Sequence, residues 1–176
     1  IIQTARSAQT FGSVMSTVNT CLKVYLTKTV SENMDRNDIN LPRIRKTPTV
    51  IFFQVSNDEL LNFGALISLF FDQTVNYYCS TNPTEDDLTI NFILDEVAQL
   101  PDFKNLITKT SIARSYRITL HFILQNLPQF YAAFKGSDTG NYTFRQLLSS
   151  CAYLLFCYTK DPTTAEELAT ILGNYT

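Results

Sequence analysis

Four short runs of apolar, strand-forming residues recur along the chain: TVIFFQV (49–55), LTINFILD (88–95), ITLHFILQ (118–125) and AYLLFCY (152–158). The first lacks the apolar–polar alternation of a half-buried strand, so burial on both faces, as in a parallel sheet, is expected of it, and the second is expected to be buried likewise. The segments between the runs carry apolar residues at helical spacing. Strands alternating with helices mean βαβ units and a mostly parallel sheet. The expected fold class is therefore α/β, with a mostly parallel sheet flanked by helices.

The intervening segments are signed by their own residues. Over 5–30, Phe11, Met15, Val18, Leu22 and Tyr25 form a helical stripe. Residues 31–46 turn polar and predict a surface connection. Asn57 and Asp58 offer N-caps for a helix over 59–78 with Phe63, Ile67, Phe70, Phe71 and Tyr78 on one face. A loop over 80–87 precedes the second run. Pro101 precedes a helix bearing Phe103, Leu106, Ile107 and Thr110, and residues 127–140 predict a mixed loop with a short helix. Residues 142–149 also predict a helix. For the last helix, Asp161 caps, Pro162 sits in the first turn, Gly173 stops it, and Ala165, Leu168, Ala169 and Leu172 make the apolar face.

With 176 residues, 45% of them hydrophobic, the chain can bury a core. A net charge of −2 excludes a basic footprint spread over the whole chain. A ring channel, where a few loop residues per subunit suffice, stays open; Lys135 is the candidate there. Cys21, Cys79, Cys151 and Cys157 form no C-x-x-C pair, which predicts reduced, buried thiols. No apolar run approaches the roughly 18 residues of a membrane span. Neither a signal peptide nor an initiator Met opens the chain, as expected of an internal, soluble fragment.

The chemistry sits at the end of the second run. Parallel strands deliver their C-terminal ends to a ligand crevice, and this one ends in Asp95 and Glu96. An Asp there can hold Mg²⁺, and a Glu can orient and polarise a water that attacks a γ-phosphate. A charged strand end is the plainer alternative. Gln125 ends the next run, beside the carboxylates if the strands are neighbours, and its amide can both donate and accept. Arg114 follows the helix between them. It is either an arginine finger reaching across a subunit boundary or a cation satisfying the helix C-terminus. His121, alone in the chain, predicts a core or neighbour hydrogen bond rather than a metal ligand.

The segment FILDEVAQLPDFKNLITKTSIARSYRITLHFILQNLPQF resembles the stretch from the Walker B strand through the sensor strand of the TraG/TraD-like coupling proteins of type IV secretion. YTFRQLLSSCAYLLFCYTKDPTTAEELATILGNYT and KTPTVIFFQVSNDE resemble the same domain's end and an earlier strand and helix. The likeness covers residues 37–176, the C-terminal part of a RecA-like ATPase domain; residues 1–36 form a helical arm, resembling the exit from an all-helical insertion. By this resemblance Asp95 is the metal-holding Walker B carboxylate, Glu96 the catalytic one, and Gln125 the sensor glutamine. Arg114 matches the trans-acting arginine of a G-R-S-x-G pattern, here Ala113-Arg114-Ser115-Tyr116-Arg117. Both glycines are replaced, so Arg117 competes for the role.

The resemblance implies a hexameric, DNA-stimulated motor ATPase using ATP and Mg²⁺. Its parent is anchored on the cytoplasmic face of the bacterial membrane and passes relaxase-bound DNA or effector proteins to the secretion channel. A non-catalytic recognition module of the same fold and a chromosome-partitioning DNA translocase are the alternatives. A phosphate-binding loop, G-x-x-x-x-G-K-[ST], is missing, since none of the five glycines precedes a lysine. The fragment alone is thus expected neither to hydrolyse ATP nor to bind it tightly. In RecA-type sheets the missing strand lies between the third and fourth runs. Those two are expected to pair directly or to have the gap filled by another segment or chain.

Overall fold

The computed structural model describes residues 8–100, 104–133 and 137–173. They divide into two compact units, Ile1–Asn40 and Leu41–Thr176. In the first, α1 spans Ala8–Leu22, a 3-10 turn follows over Lys23–Leu26, and α2 spans Lys28–Asn33. The expected single helix over 5–30 is thus broken, and Phe11, Met15, Val18 and Leu22 of its stripe are exposed. Ala5, Pro101, Phe103 and Lys135 lie outside the described residues.

The second unit carries α3 (Leu41–Ile44), α4 (Asn57–Ser80), β1 (Ile90–Leu94), α5 (Lys104–Ala113), β2 (Ile118–Phe122), α6 (Leu127–Ala133), α7 (Ser137–Ser150) and α8 (Pro162–Leu172). Strands β1 and β2 pair in parallel, Ile90 opposite Ile118 and Leu94 opposite Phe122. Helix α5 makes the crossover between them, as a βαβ unit requires. Its cap differs from expectation at α4: Ser56, not Asn57 or Asp58, is the N-cap. Ser56 accepts from the Glu59 amide while Glu59 reaches back to the Ser56 amide, a reciprocal box that satisfies two orphan donors.

One face of the sheet makes the core. Phe92, Leu94 and Ile118 pack with Val75 and Tyr78 of α4, Leu106 and Ile107 of α5, Leu127 and Phe130 of α6, and Phe144 and Leu147 of α7. Along β1 burial alternates, and Ile93 on the other face is 69% exposed. The second run is therefore half-buried rather than buried. His121 stands on the open face too, its Nε2 3.4 Å from Asn91 Oδ1 on the neighbouring strand. A neighbour hydrogen bond, not a core position, is its environment.

Two of the four expected strands do not form. Residues 49–55 and 152–158 take no regular secondary structure and belong to no ladder among the described residues. Phe52 is 88% and Leu155 91% exposed, and Cys157 is exposed rather than a buried thiol. Phe53 anchors the first segment, through rings of Phe70 and Phe71 at 4.7 and 5.6 Å. The physical reason is shared: a strand apolar on both faces needs main-chain partners and cover, and the described residues supply neither. The expected direct pairing of the third and fourth runs is absent, and no described segment fills the space. The mostly parallel, flanked sheet is thus a two-stranded one with helices on its core face.

Helix α8 begins as expected. Asp161 accepts from the Thr164 amide at 2.7 Å, with Pro162 at the start and Gly173 (φ 72°) at the end. Its buried residue, however, is Thr164, whose hydroxyl donates to Asp161 and accepts from the Leu127 amide. Ala165, Ala169 and Leu172 of the expected apolar face are exposed. No helix among the described residues is long and apolar enough to cross a membrane.

Candidate functional site

At the C-terminal end of the strand pair, β1 must turn sharply, because Val97, three residues past Leu94, is fully buried in the core. Glu96 makes that turn in the left-handed region, φ 49° and ψ 41°, which costs an L-residue about 1–2 kcal/mol. Such a conformation persists only where its surroundings over-determine it. Here a 3-10 turn over Val97–Gln99 follows, closed by the Gln99 amide on the Glu96 carbonyl at 2.9 Å.

Both carboxylate oxygens of Glu96 are engaged. Gln99 Nε2 donates to Oε2 and Gln125 Nε2 donates to Oε1. Gln125 reaches this place because the parallel pairing continues past β2, with the Ile123 amide on the Leu94 carbonyl at 3.0 Å. Asp95 beside it is exposed and makes no hydrogen bond or ion pair among the described residues. The sequence reading missed Gln99; its signal was an amide side chain three residues after Glu96, close enough to reach back.

The arrangement has a definite chemical capacity. Two amides orient one carboxylate without neutralising it, and each keeps a carbonyl oxygen able to accept from water. Among the described residues no group of three or more His, Cys, Asp or Glu stands together. Two carboxylates do not make a protein-only cage for a cation. They do fit Mg²⁺, which takes one or two carboxylates and completes its shell with waters and substrate phosphates.

Arg114 is not part of this cluster. It opens the 3-10 turn Arg114–Tyr116, before β2 begins and so at the opposite end of the sheet, roughly 20 Å away by strand rise. Its side chain is exposed, without a hydrogen bond or ion pair among the described residues. Arg117, the competing candidate, stands where the pattern has glycine and adopts the glycine conformation, φ 50° and ψ 46°. Its guanidinium is committed: Nη1 donates to the Glu85 and Asp87 carbonyls, both at 2.8 Å. Of the two arginines, only Arg114 is at liberty to reach elsewhere.

The same end holds a second lock. Asp87 pairs with Lys46 at 2.8 Å and accepts from the Thr84 amide. The Lys46 hydrogen bond, then the Thr84 amide, holds the Asp87 carboxyl down at about 2. Beneath it, burial pushes the Tyr78 phenol up to about 12, against the pull of the nearby Arg45 cation.

A parallel βαβ unit whose strand ends carry an oriented carboxylate beside a free one defines an α/β arrangement, the class in which the strand C-termini are where ligands bind. The model of the family "Type IV secretory system Conjugative DNA transfer" matches residues 2–176, and the chain belongs to that family. Among relatives, it is 27% identical over 142 residues to Protein VirD4 of Rhizobium radiobacter, covering 80% of this chain and 20% of that one. It is 25% identical over 156 residues to Protein VirD4 of Agrobacterium fabrum, covering 88% and 23%. To Conjugal transfer protein TraG of Rhizobium radiobacter it is 35% identical over 85 residues, covering 48% and 13%. The chain thus spans about a fifth of the length of the VirD4 relatives. No solved structure gives a significant match.

Proposed function

We propose that this chain supplies the metal-holding and water-activating half of an ATP-hydrolysing motor that couples DNA, or effector proteins, to a type IV secretion channel. The observation that carries it is the Glu96 carboxylate held by Gln125 across parallel strand ends, with Asp95 free beside it. Asp95 would hold Mg²⁺, which would neutralise charge developing on the phosphates. Glu96 would orient a water and take its proton as the water oxygen bonds to the γ-phosphorus. The bond to the β–γ bridging oxygen then breaks, and the charge leaves on ADP. The Gln125 amide oxygen would accept from the same water.

The proposal includes a RecA-like core completed by a phosphate-binding loop from elsewhere in the parent protein. It also includes a hexameric ring of identical subunits on the cytoplasmic face of the membrane, with DNA and relaxase or effector proteins as cargo. Arg114, distant from the carboxylates of its own chain, would act on a neighbouring subunit's nucleotide. Family membership favours conjugative coupling over the chromosome-partitioning alternative.

The test is turnover of the full-length parent carrying Glu96→Gln, with and without single-stranded DNA. We expect nucleotide binding to persist and hydrolysis to fall about 10²–10⁴-fold, the range for removal of a general base. Unchanged turnover would leave the non-catalytic recognition module as the better account.

A further inference from the structure

We propose that Arg45 is a positioning residue for Arg114: it clamps the turn from which Arg114 projects. The inference rests on the assignment of Arg114 to a neighbouring subunit's site.

Arg45 follows α3 in a stretch whose composition marked it as surface, yet it is only 7% exposed. Among the described residues no carboxylate meets it. Its guanidinium donates instead to three main-chain carbonyls: Tyr116 O at 2.6 Å, Leu88 O at 3.1 Å and Arg117 O at 3.3 Å. Its carbon lies 4.7 Å from the centre of the Tyr78 ring. The Tyr78 hydroxyl in turn donates to the Leu41 carbonyl at 3.0 Å, and the Leu88 amide donates to the Arg45 carbonyl at 2.8 Å. A buried cation without a counter-ion is costly, so three converging acceptors and a ring face are the conditions for its being there at all.

Those acceptors explain why an arginine is needed. Helix α5 and the 3-10 turn after it run continuously to Tyr116, and their last carbonyls form the negative end of a helix dipole. A planar fork meets carbonyls set apart in fixed directions, whereas a lysine offers its three donors from a single point. The turn also lacks the glycine that would make its left-handed residue easy. Arg117 holds that conformation while its amide closes on the Arg114 carbonyl at 3.1 Å and its own carbonyl accepts from Ile90 at 3.0 Å. Arg45 grips the carbonyls on both sides of this strained link, three residues or fewer from Arg114. The helix-terminal cation role that Arg114 could have played is thus taken by Arg45, and Arg114 is left exposed on a fixed base.

The experiment uses the full-length parent in its assembled form. Arg45→Lys keeps the cation and Arg45→Gln keeps donors without charge; Arg114→Ala and Glu96→Gln serve as references. We expect both Arg45 variants to lower kcat for ATP by about 10²-fold, the scale of a 1 Å misplacement, with KM for ATP unchanged. Mixing either with Glu96→Gln subunits should restore turnover above the sum of the separate proteins. One partner then brings an intact carboxylate site and the other an intact Arg114 turn. A subunit that simply misfolds restores nothing. Full turnover in both Arg45 variants beside an inactive Arg114→Ala, or a loss that mixing does not relieve, overturns the inference alone. Full turnover in Arg114→Ala removes the assignment beneath it, and the inference with it.

Discussion

The two ends of the β1–β2 pair present the same backbone solution with opposite support. Each has a non-glycine residue in the left-handed region, Glu96 at one end and Arg117 at the other. At the strand C-termini the side chain is held by two glutamine amides on a partly exposed surface, and its neighbour Asp95 is free. At the N-termini the strained residue is bound by its own guanidinium, by that of Arg45 and by main-chain bonds on both sides. Strain at the first end supports a carboxylate that stays partly exposed. At the second it is locked by contacts inside the protein. One end leaves Asp95 open to solvent, and the other is tied down.

That contrast can be broken by mutation. The largest effect expected is from Arg45→Met, which strands three carbonyls and the ring face; denaturant unfolding should register a loss of about 3 kcal/mol. A loss below about 1 kcal/mol would mean that the N-terminal end is not locked by this residue. Next, Arg117→Ala should cost about 2 kcal/mol by losing two charge-assisted hydrogen bonds while keeping the strain. Arg117→Gly should cost about 1 kcal/mol less, because the left-handed conformation no longer opposes it. At the other end, Glu96→Gly should stay within about 1 kcal/mol of the unaltered chain, since relief of strain offsets the lost amide contacts. Equal losses from Glu96→Gly and Arg117→Ala would erase the distinction.

The smallest effect is in acid. The Asp87 carboxyl is held near 2, below the roughly 3.9 of an unfolded chain. The stability it contributes is present above about pH 4 and is lost as pH falls through about 2. Asp87→Asn should flatten the acid limb of stability against pH over that window. An unchanged limb would show that the Lys46 pair does not bear on folding.

What was legible in the sequence followed from periodicity and from residues acting near themselves in the chain. The βαβ unit, the stripe of α4 at Ile67 and Tyr78, and the cap of α8 at Asp161 all lie in this class. Glu96 and Gln125 meet because two strands of known direction bring their ends together. The pairing of 49–55 and 152–158 was misjudged because apolar composition states what a segment can pair with, not that the partner is at hand. Arg45 was invisible for another reason: its partners are main-chain carbonyls 43 to 72 positions away, and a carbonyl leaves no mark in the sequence.

The two unpaired apolar ribbons carry a consequence for how the chain behaves in bulk. VIFFQV and AYLLFCY are uncharged and free of proline and glycine. Segments of that make-up, presented with open main-chain edges, nucleate cross-β stacking between molecules. Lys46 and Pro48 precede the first, and Lys160, Asp161 and Pro162 follow the second. Charges and prolines in those positions act as gatekeepers, interrupting a growing stack at its margins while leaving the ribbons free to find a rightful neighbour.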